Sequence, residues 1–257
     1  MKVRTEARED IWIVTITRPR VKNCVDREAA VALADAFRTF DADGNLRVAI
    51  LQGEGNAFCA GADLKAVGQG NSGDANRVTD AGEGPMGPTR MQLSKPVIAA
   101  VEGHAVAGGL ELAVWCDLRV AARDAVFGVY CRRWGVPLID GGTIRLPRLI
   151  GQSRAMDMIL TGRGVSGEEA LAMGLVNRLV EPGEALEAAL ELARSIAKFP
   201  ERCMRSDRLS ALTQWSLSES EALREETRLG LEVIRSGETQ KGAALFAAGA
   251  GRHGSFD

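Results

Sequence analysis

The chain has 257 residues, 46% of them hydrophobic and 26% charged, with 32 Lys+Arg against 34 Asp+Glu. That describes a globular protein of one large domain, or one domain with an appendage, that needs no disulfide or metal to fold. A formal net charge of −2 argues against a nucleic-acid or membrane surface as the main partner.

The N-terminus is charged at once (Met1-Lys2-Val3-Arg4), so no signal peptide and a cytoplasmic location are expected. Ile11 to Ile16 reads as a strand ended by Arg18-Pro19. Glu28 to Phe40 reads as a helix with Ala30, Leu33, Phe37 and Phe40 on one face. Val48 to Leu51, Val97 to Val101 and Leu118 to Ala121 are apolar runs of the kind buried on both faces of a sheet. Strands alternating with a helix imply parallel pairing with crossovers, hence an α/β fold. Pro96 to Trp115 is interrupted by Glu102, His104 and Glu111 and predicts no membrane span. From Gly151 onward the texture turns helical. Ser166 caps a helix with an acidic first turn, Leu179 to Pro182 is a short strand, and Gly183–Lys198 and Ser218–Arg235 are long amphipathic stretches. The last, with Gly237 to Ala248, has too little core of its own, which points to packing on another subunit.

Cys24, Cys59, Cys116, Cys131 and Cys203 form no CxxC pair and read as free thiols in a reducing compartment. With only His104 and His253 as histidines, no metal site is expected, and His104 is given no role. Trp12, Trp115, Trp134 and Trp215 read as core or interface, Trp134 bordering a pocket. Val67 to Pro88 is rich in glycine and poor in apolar side chains, so it forms a site wall or stays irregular. Its Gly68-Gln69-Gly70-Asn71-Ser72-Gly73 matches G-x-G-x-x-G, but it follows polar residues and opens no helix, so it is not taken as a dinucleotide site.

Two other segments carry chemistry. Asn56 to Leu64 and Gly103 to Ala113 each leave the carboxyl end of a buried strand, where open α/β sheets place ligands. Small residues there let a ligand approach backbone N–H groups, and two such groups converging on one oxygen make an oxyanion hole.

Together the two segments resemble the crotonase (enoyl-CoA hydratase/isomerase) superfamily. The likeness extends through Arg18-Pro19 with Asn23, Phe58-Cys59-Ala60-Gly61-Ala62-Asp63-Leu64, Lys95 to Gly103, Gly108 to Ala113, Cys116-Asp117, Thr161-Gly162 and Ala170 to Asn177. The resemblance implies a core of repeated ββα turns over 1–199, a C-terminal helical trimerisation region over 200–257, and acyl-coenzyme A thioester substrates. Coenzyme A is then part of the substrate, with no separate cofactor, and self-association is as a trimer or dimer of trimers. Carried over, the backbone N–H groups of Ala62 and Gly108 form the oxyanion hole. Ala60, Ala62 and Leu64 line the adenine and pantetheine path, and Lys22 and Cys24 touch the coenzyme.

Glu111 matches the first of a hydratase's two glutamates, in the first turn of a helix within reach of a substrate held at Gly108. The second is missing: Phe127-Gly128-Val129-Tyr130 leads to Cys131, followed by Arg132, Arg133 and Trp134. Asp140, in Gly135 to Thr143, is expected to supply the second carboxylate, as in some isomerases and a dehalogenase of the superfamily. The alternative is a turn residue accepting the Gly142 N–H. Cys131 reads as a small buried side chain at the substrate site. The expectation is an enoyl-CoA hydratase; an enoyl- or dienoyl-CoA isomerase and a non-catalytic acyl-CoA-binding paralogue are the alternatives.

Overall fold

Strand β1 (Val3–Arg8) runs antiparallel to β2 (Ile11–Ile16) in a computed structural model that describes residues 1–68 and 73–251. Helix α1 (Arg27–Ala42) begins at Asp26, whose carboxylate accepts the Ala29 N–H, and buries Ala30, Leu33, Phe37 and Phe40. Buried Lys95 closes its far end. The ammonium donates to the Phe40 and Asp43 carbonyls at 2.8 and 2.5 Å, placing a cation where the helix dipole is negative. Next come β3 (Val48–Gly53), α2 (Leu64–Gly68), β4 (Val97–Val101), β5 (His104–Val106) and α3 (Gly108–Trp115). Then follow β6 (Leu118–Ala122), β7 (Val126–Gly128), α4 (Gly142–Ile150), α5 (Gln152–Thr161), β8 (Gly164–Ser166), α6 (Gly167–Ala172) and β9 (Arg178–Val180). Among the described residues the last helices are α7 (Ala185–Ala197), α8 (Glu201–Thr213), α9 (Glu219–Arg235) and α10 (Glu238–Ala247).

The larger sheet has the order β1-β2-β3-β4-β6-β9 and is parallel except at β1–β2. The smaller sheet has the order β5-β7-β8, and Cys59 joins β5 through a parallel bridge to Ala105. One module therefore recurs: a strand in the large sheet, a short strand or bridge in the small one, then a helix. It appears as β3–Cys59–α2, β4–β5–α3 and β6–β7–α4. This is the repeated ββα core that the resemblance implies. The strands β5, β7 and β8 are three residues each, too short to show a period of two, and are not legible in the sequence.

The chain forms two compact units, Met1–Arg194 and Ser195–Asp257, divided within α7. In the second unit, Ser218 and Glu221 form a capping box on α9, and the Glu238 carboxylate accepts the Arg202 and Cys203 N–H groups at the start of α8. Leu212, Trp215, Leu223, Ile234 and Phe246 of this unit are exposed. Among the described residues no helix is long and apolar enough to cross a membrane.

Neighbouring modules meet at Gly109, where an added Cβ stands 2.0 Å from the Cys59 carbonyl oxygen. Gly109→Ala is expected to lower stability by roughly 2–4 kcal/mol in urea unfolding, because backbone has to move. Gly44→Ala, with nothing within 4 Å, is the control and stays within about 0.5 kcal/mol. Equal stability of the two variants would contradict this close packing.

Candidate active site

The segment 58–63 is held by backbone bonds on both sides. Phe58 and Cys59 donate to the Glu102 and His104 carbonyls, Ala60 donates to Lys22 O at 2.9 Å, and Asp63 donates to Val25 O at 2.9 Å. The Gly61 N–H reaches Cys59 Sγ at 3.4 Å. Ala62 alone in this run has an N–H without an acceptor among the described residues. The Gly61 carbonyl accepts from Val25 N at 2.8 Å. A trans peptide puts the Ala62 N–H opposite that carbonyl, so it points away from Val25.

The second unpaired donor starts α3. The Ala107 carbonyl accepts the Glu111 N–H at 3.2 Å, so the Gly108 N–H points out of the helix N-terminus and has no acceptor among the described residues. Ala107 adopts φ 53° and ψ −126°, a strained conformation for a residue with a Cβ, fixed by its own N–H on Gly128 O at 2.8 Å. The donors are brought close by Gly61 (φ +97°): a Cβ there falls 2.9 Å from Ala107 Cβ and 3.0 Å from Gly108 N. Lys22, Cys24, Ala60 and Leu64 gather around the same place, because the segment Lys22 to Val25 is bonded to 60–63 through Lys22 O, Val25 N and Val25 O. Lys22 and Leu64 are exposed, Cys24 and Ala60 half-buried. Burial pushes the Cys24 thiol up.

Glu111, one turn into α3, is 2% exposed. Its Oε1 accepts the N–H groups of Asp140 (2.8 Å) and Gly142 (2.9 Å), and Oε2 carries no hydrogen bond among the described residues. Burial pushes its pKa up to about 7; the Gly142 N–H opposes the shift, and the Asp140 charge adds to it. Asp140 is 3% exposed and also pushed up by burial, against the hydrogen bonds from Thr89 and Met86. Its Oδ1 accepts the Thr89 hydroxyl and the Met86 N–H (2.9 Å). The Gly142 N–H goes to Glu111 and not to Asp140, so the simple turn-residue alternative does not describe this aspartate.

The sequence does not single out Met86, Thr89 and Arg145. Arg145 donates to the carbonyls of Asp140 (3.0 Å) and Thr89 (2.7 Å), joining the turn before α4 to the segment 84–89. That segment is the buried wall in the glycine-rich stretch, and Met86 Sδ lies 2.7 Å from where a Cβ on Gly108 would stand. The one signal for Arg145 is a charge on a helix face between the buried Gly142, Leu146 and Ile150. The G-x-G-x-x-G match and His253 lie largely or wholly outside the described residues.

Cys131 sits buried in a 3-10 turn, Tyr130–Trp134, its thiol pushed up by burial and by the Glu111 charge. Arg132 and Arg133 donate to the Ile159 and Gly162 carbonyls, both at 3.1 Å, so they hold the turn on the C-terminal end of α5. Trp134 is 71% exposed and Trp215 55%, so neither is core. Trp12 and Trp115 are partly buried against the core, their indole N–H groups on Ala36 O and Met91 O.

Residues 6–249 match the family described as Enoyl-CoA hydratase/isomerase. The chain belongs to that family, the crotonase superfamily. It is similar to enoyl-CoA hydratase EchA19 of Mycobacterium tuberculosis, with 36% identity over 94% of this chain and 92% of that protein. It is 42% identical to carnitinyl-CoA dehydratase of Salmonella typhi over 71% of this chain and 69% of that one. The crystal structure of enoyl-CoA hydratase EchA1 from Mycobacterium marinum gives a TM-score of 0.90 at 40% identity, covering 96% of both chains. This crotonase is thus an acyl-CoA enzyme, and the two unpaired N–H groups and Glu111 lie on the segments through which its sequence resembles the family.

A carboxyl raised from 4.5 to about 7 in the folded state favours folding below the lower value, and that contribution is lost as pH rises through 7. Glu111→Gln removes the loss. Its stability relative to the parent is expected to improve by roughly 2–4 kcal/mol between pH 4.5 and pH 8, measured by urea unfolding. A pH-independent difference would show that Glu111 titrates normally.

Proposed function

We propose that this crotonase is an enoyl-CoA hydratase, a hydro-lyase whose substrate brings coenzyme A with it. The observation that carries the reading is Glu111: buried, fixed through Oε1 by two N–H groups, with Oε2 without a partner among the described residues. The thioester carbonyl oxygen lies between the Ala62 and Gly108 N–H groups. As the oxygen of water bonds to Cβ, the alkene electrons move through Cα onto that oxygen, where fixed donors stabilise the charge without reorganising. Each donor of this kind contributes roughly 3–4 kcal/mol. Glu111 takes the proton from water, and Asp140 delivers one to Cα, so water adds across the double bond. Two carboxyls raised by burial, one adding to the other's shift, suit a site that holds one proton between them. Burial and the Glu111 charge push the Cys131 thiol up, which disfavours the thiolate, so Cys131 is not the base of this reaction. Lys22, Cys24, Ala60 and Leu64 border the coenzyme, and Cys131 and Trp134 the acyl end.

The cysteine favours one second reading. With no carboxylate in the 3-10 turn, the same pair would instead move a proton between Cα and Cγ of an enoyl-CoA, as an isomerase. Self-association as a trimer or dimer of trimers is part of the proposal, supported by the exposed apolar side chains of residues 195–257.

Hydration of crotonyl-CoA, followed by loss of absorbance, is expected to fall about 10²–10⁴-fold in Glu111→Gln and in Asp140→Asn. The double variant should lose little beyond the worse single one, because the pair acts as a unit. Cys131→Glu is expected to raise hydration in the Asp140→Asn background, where it supplies the second carboxyl. Turnover of 3-enoyl-CoA without hydration would select the isomerase, and an active Glu111→Gln would reject both.

A further inference from the structure

A guanidinium bridges the two sides of the link that aims Ala62. Arg18, two residues past the end of β2, donates through Nη1 to the Cys24 carbonyl and through Nη2 to Asp63 Oδ2 at 2.9 Å. Nη2 also lies 3.1 Å from Asp26 Oδ2, and Lys2 meets that same oxygen at 2.7 Å. Cys24 precedes Val25 and Asp63 follows Ala62, so Arg18 grips both segments of the Val25–Ala62 bridge. The side chains of Arg18, Asp26 and Asp63 are 17%, 6% and 14% exposed, so water screens these bonds poorly. The segment that carries Val25 starts from an unusual backbone: Lys22 and Asn23 both have positive φ, 50° and 55°. Asn23 holds that shape by accepting the Arg18 N–H and donating to the Glu54 and Ala57 carbonyls.

We infer that Arg18 and Asp63 form an ionic latch that positions the Ala62 N–H, making Arg18 a positioning residue for the reaction. The direction of that N–H is set by one peptide unit whose carbonyl bonds to Val25 N. If the bridge loosens, the peptide rotates and the donor leaves the line of the thioester oxygen. Binding of the coenzyme, spread over many contacts, changes little. Displacements of about 1 Å from the productive geometry typically cost about 100-fold in rate. Lysine does not replace the arginine, because one ammonium lacks the planar fork that reaches Cys24 O, Asp63 and Asp26 together.

The inference rests on the oxyanion-hole reading, and a push–pull thioester separates the two. A 4-dimethylaminocinnamoyl-CoA absorbs at longer wavelength when its carbonyl oxygen accepts hydrogen bonds. Wild-type protein is expected to red-shift it. Asp63→Asn and Arg18→Lys are expected to bind it within about 3-fold of wild type, with most of the red shift lost. On crotonyl-CoA they should lose 10–100-fold in kcat with KM nearly unchanged. A full red shift and full kcat in the folded variants overturn the latch. No red shift in the wild type overturns the oxyanion hole itself. Where Asp63→Asn does not fold, Arg18→Lys, which keeps the charge, carries the test.

Discussion

Backbone N–H groups shielded from water almost always find an acceptor, so the half-buried Ala62 N–H and the buried Gly108 N–H, both unpaired among the described residues, are the constraint around which this crotonase is organised. Ala62 and Gly108 each stand at or just before the helix of a ββα module, where the strand ladder has ended and the helical one has not begun. A single module supplies one such donor. Only stacked modules place two side by side, because the large sheet sets the spacing of successive turns through the parallel register of β3 and β4.

Close approach is then a matter of missing side chains and tolerated strain. Gly61 and Gly109 let the two turns touch, since a Cβ at either meets backbone of the other segment within 3.0 Å. Ala107 keeps its side chain and accepts an unfavourable φ. Its N–H on Gly128 comes from the third module, so each turn is held in shape by the next one along. Polar side chains do the same work across longer gaps: Asn23 for the loop after β3, Arg145 for the wall at 84–89.

Much of this was legible in the sequence, for definite reasons. The runs at 11–16, 48–51, 97–101 and 118–121 are buried on both faces and so are apolar except at Thr15 and Arg119, which is a signal that survives without context. The helices opened by Ser166 and Ser218 carry their caps in the letters. By contrast β1 alternates charge with small residues, and β5, β7 and β8 exist only because partners from other modules pair with them. At the site, Glu111 and Asp140 were visible as acids among apolar residues. Their linkage was not, since it runs through backbone N–H groups that any residue possesses. Met86 and Thr89 were hidden for a similar reason: what matters is contact with residues more than fifty positions away.

The arginines after Cys131 show how a family position can be emptied of charge without losing its place. Arg132 and Arg133 spend their donors on the end of α5, and Arg133 also lies over the Tyr130 ring at 3.7 Å. The turn is thus held from its outer side, and its inner residue carries no structural duty that a carboxylate would have to fill. A second buried carboxylate there would sit near Glu111 and Asp140, two acids already raised by burial, with Arg145 the partly buried cation among them. A third negative charge in so dry a place costs several kcal/mol or titrates away. Asp140 and a carboxylate at 131 are therefore competing solutions to one problem. The neutral thiol at 131 is what lets Asp140, nine residues on, lie beside Glu111.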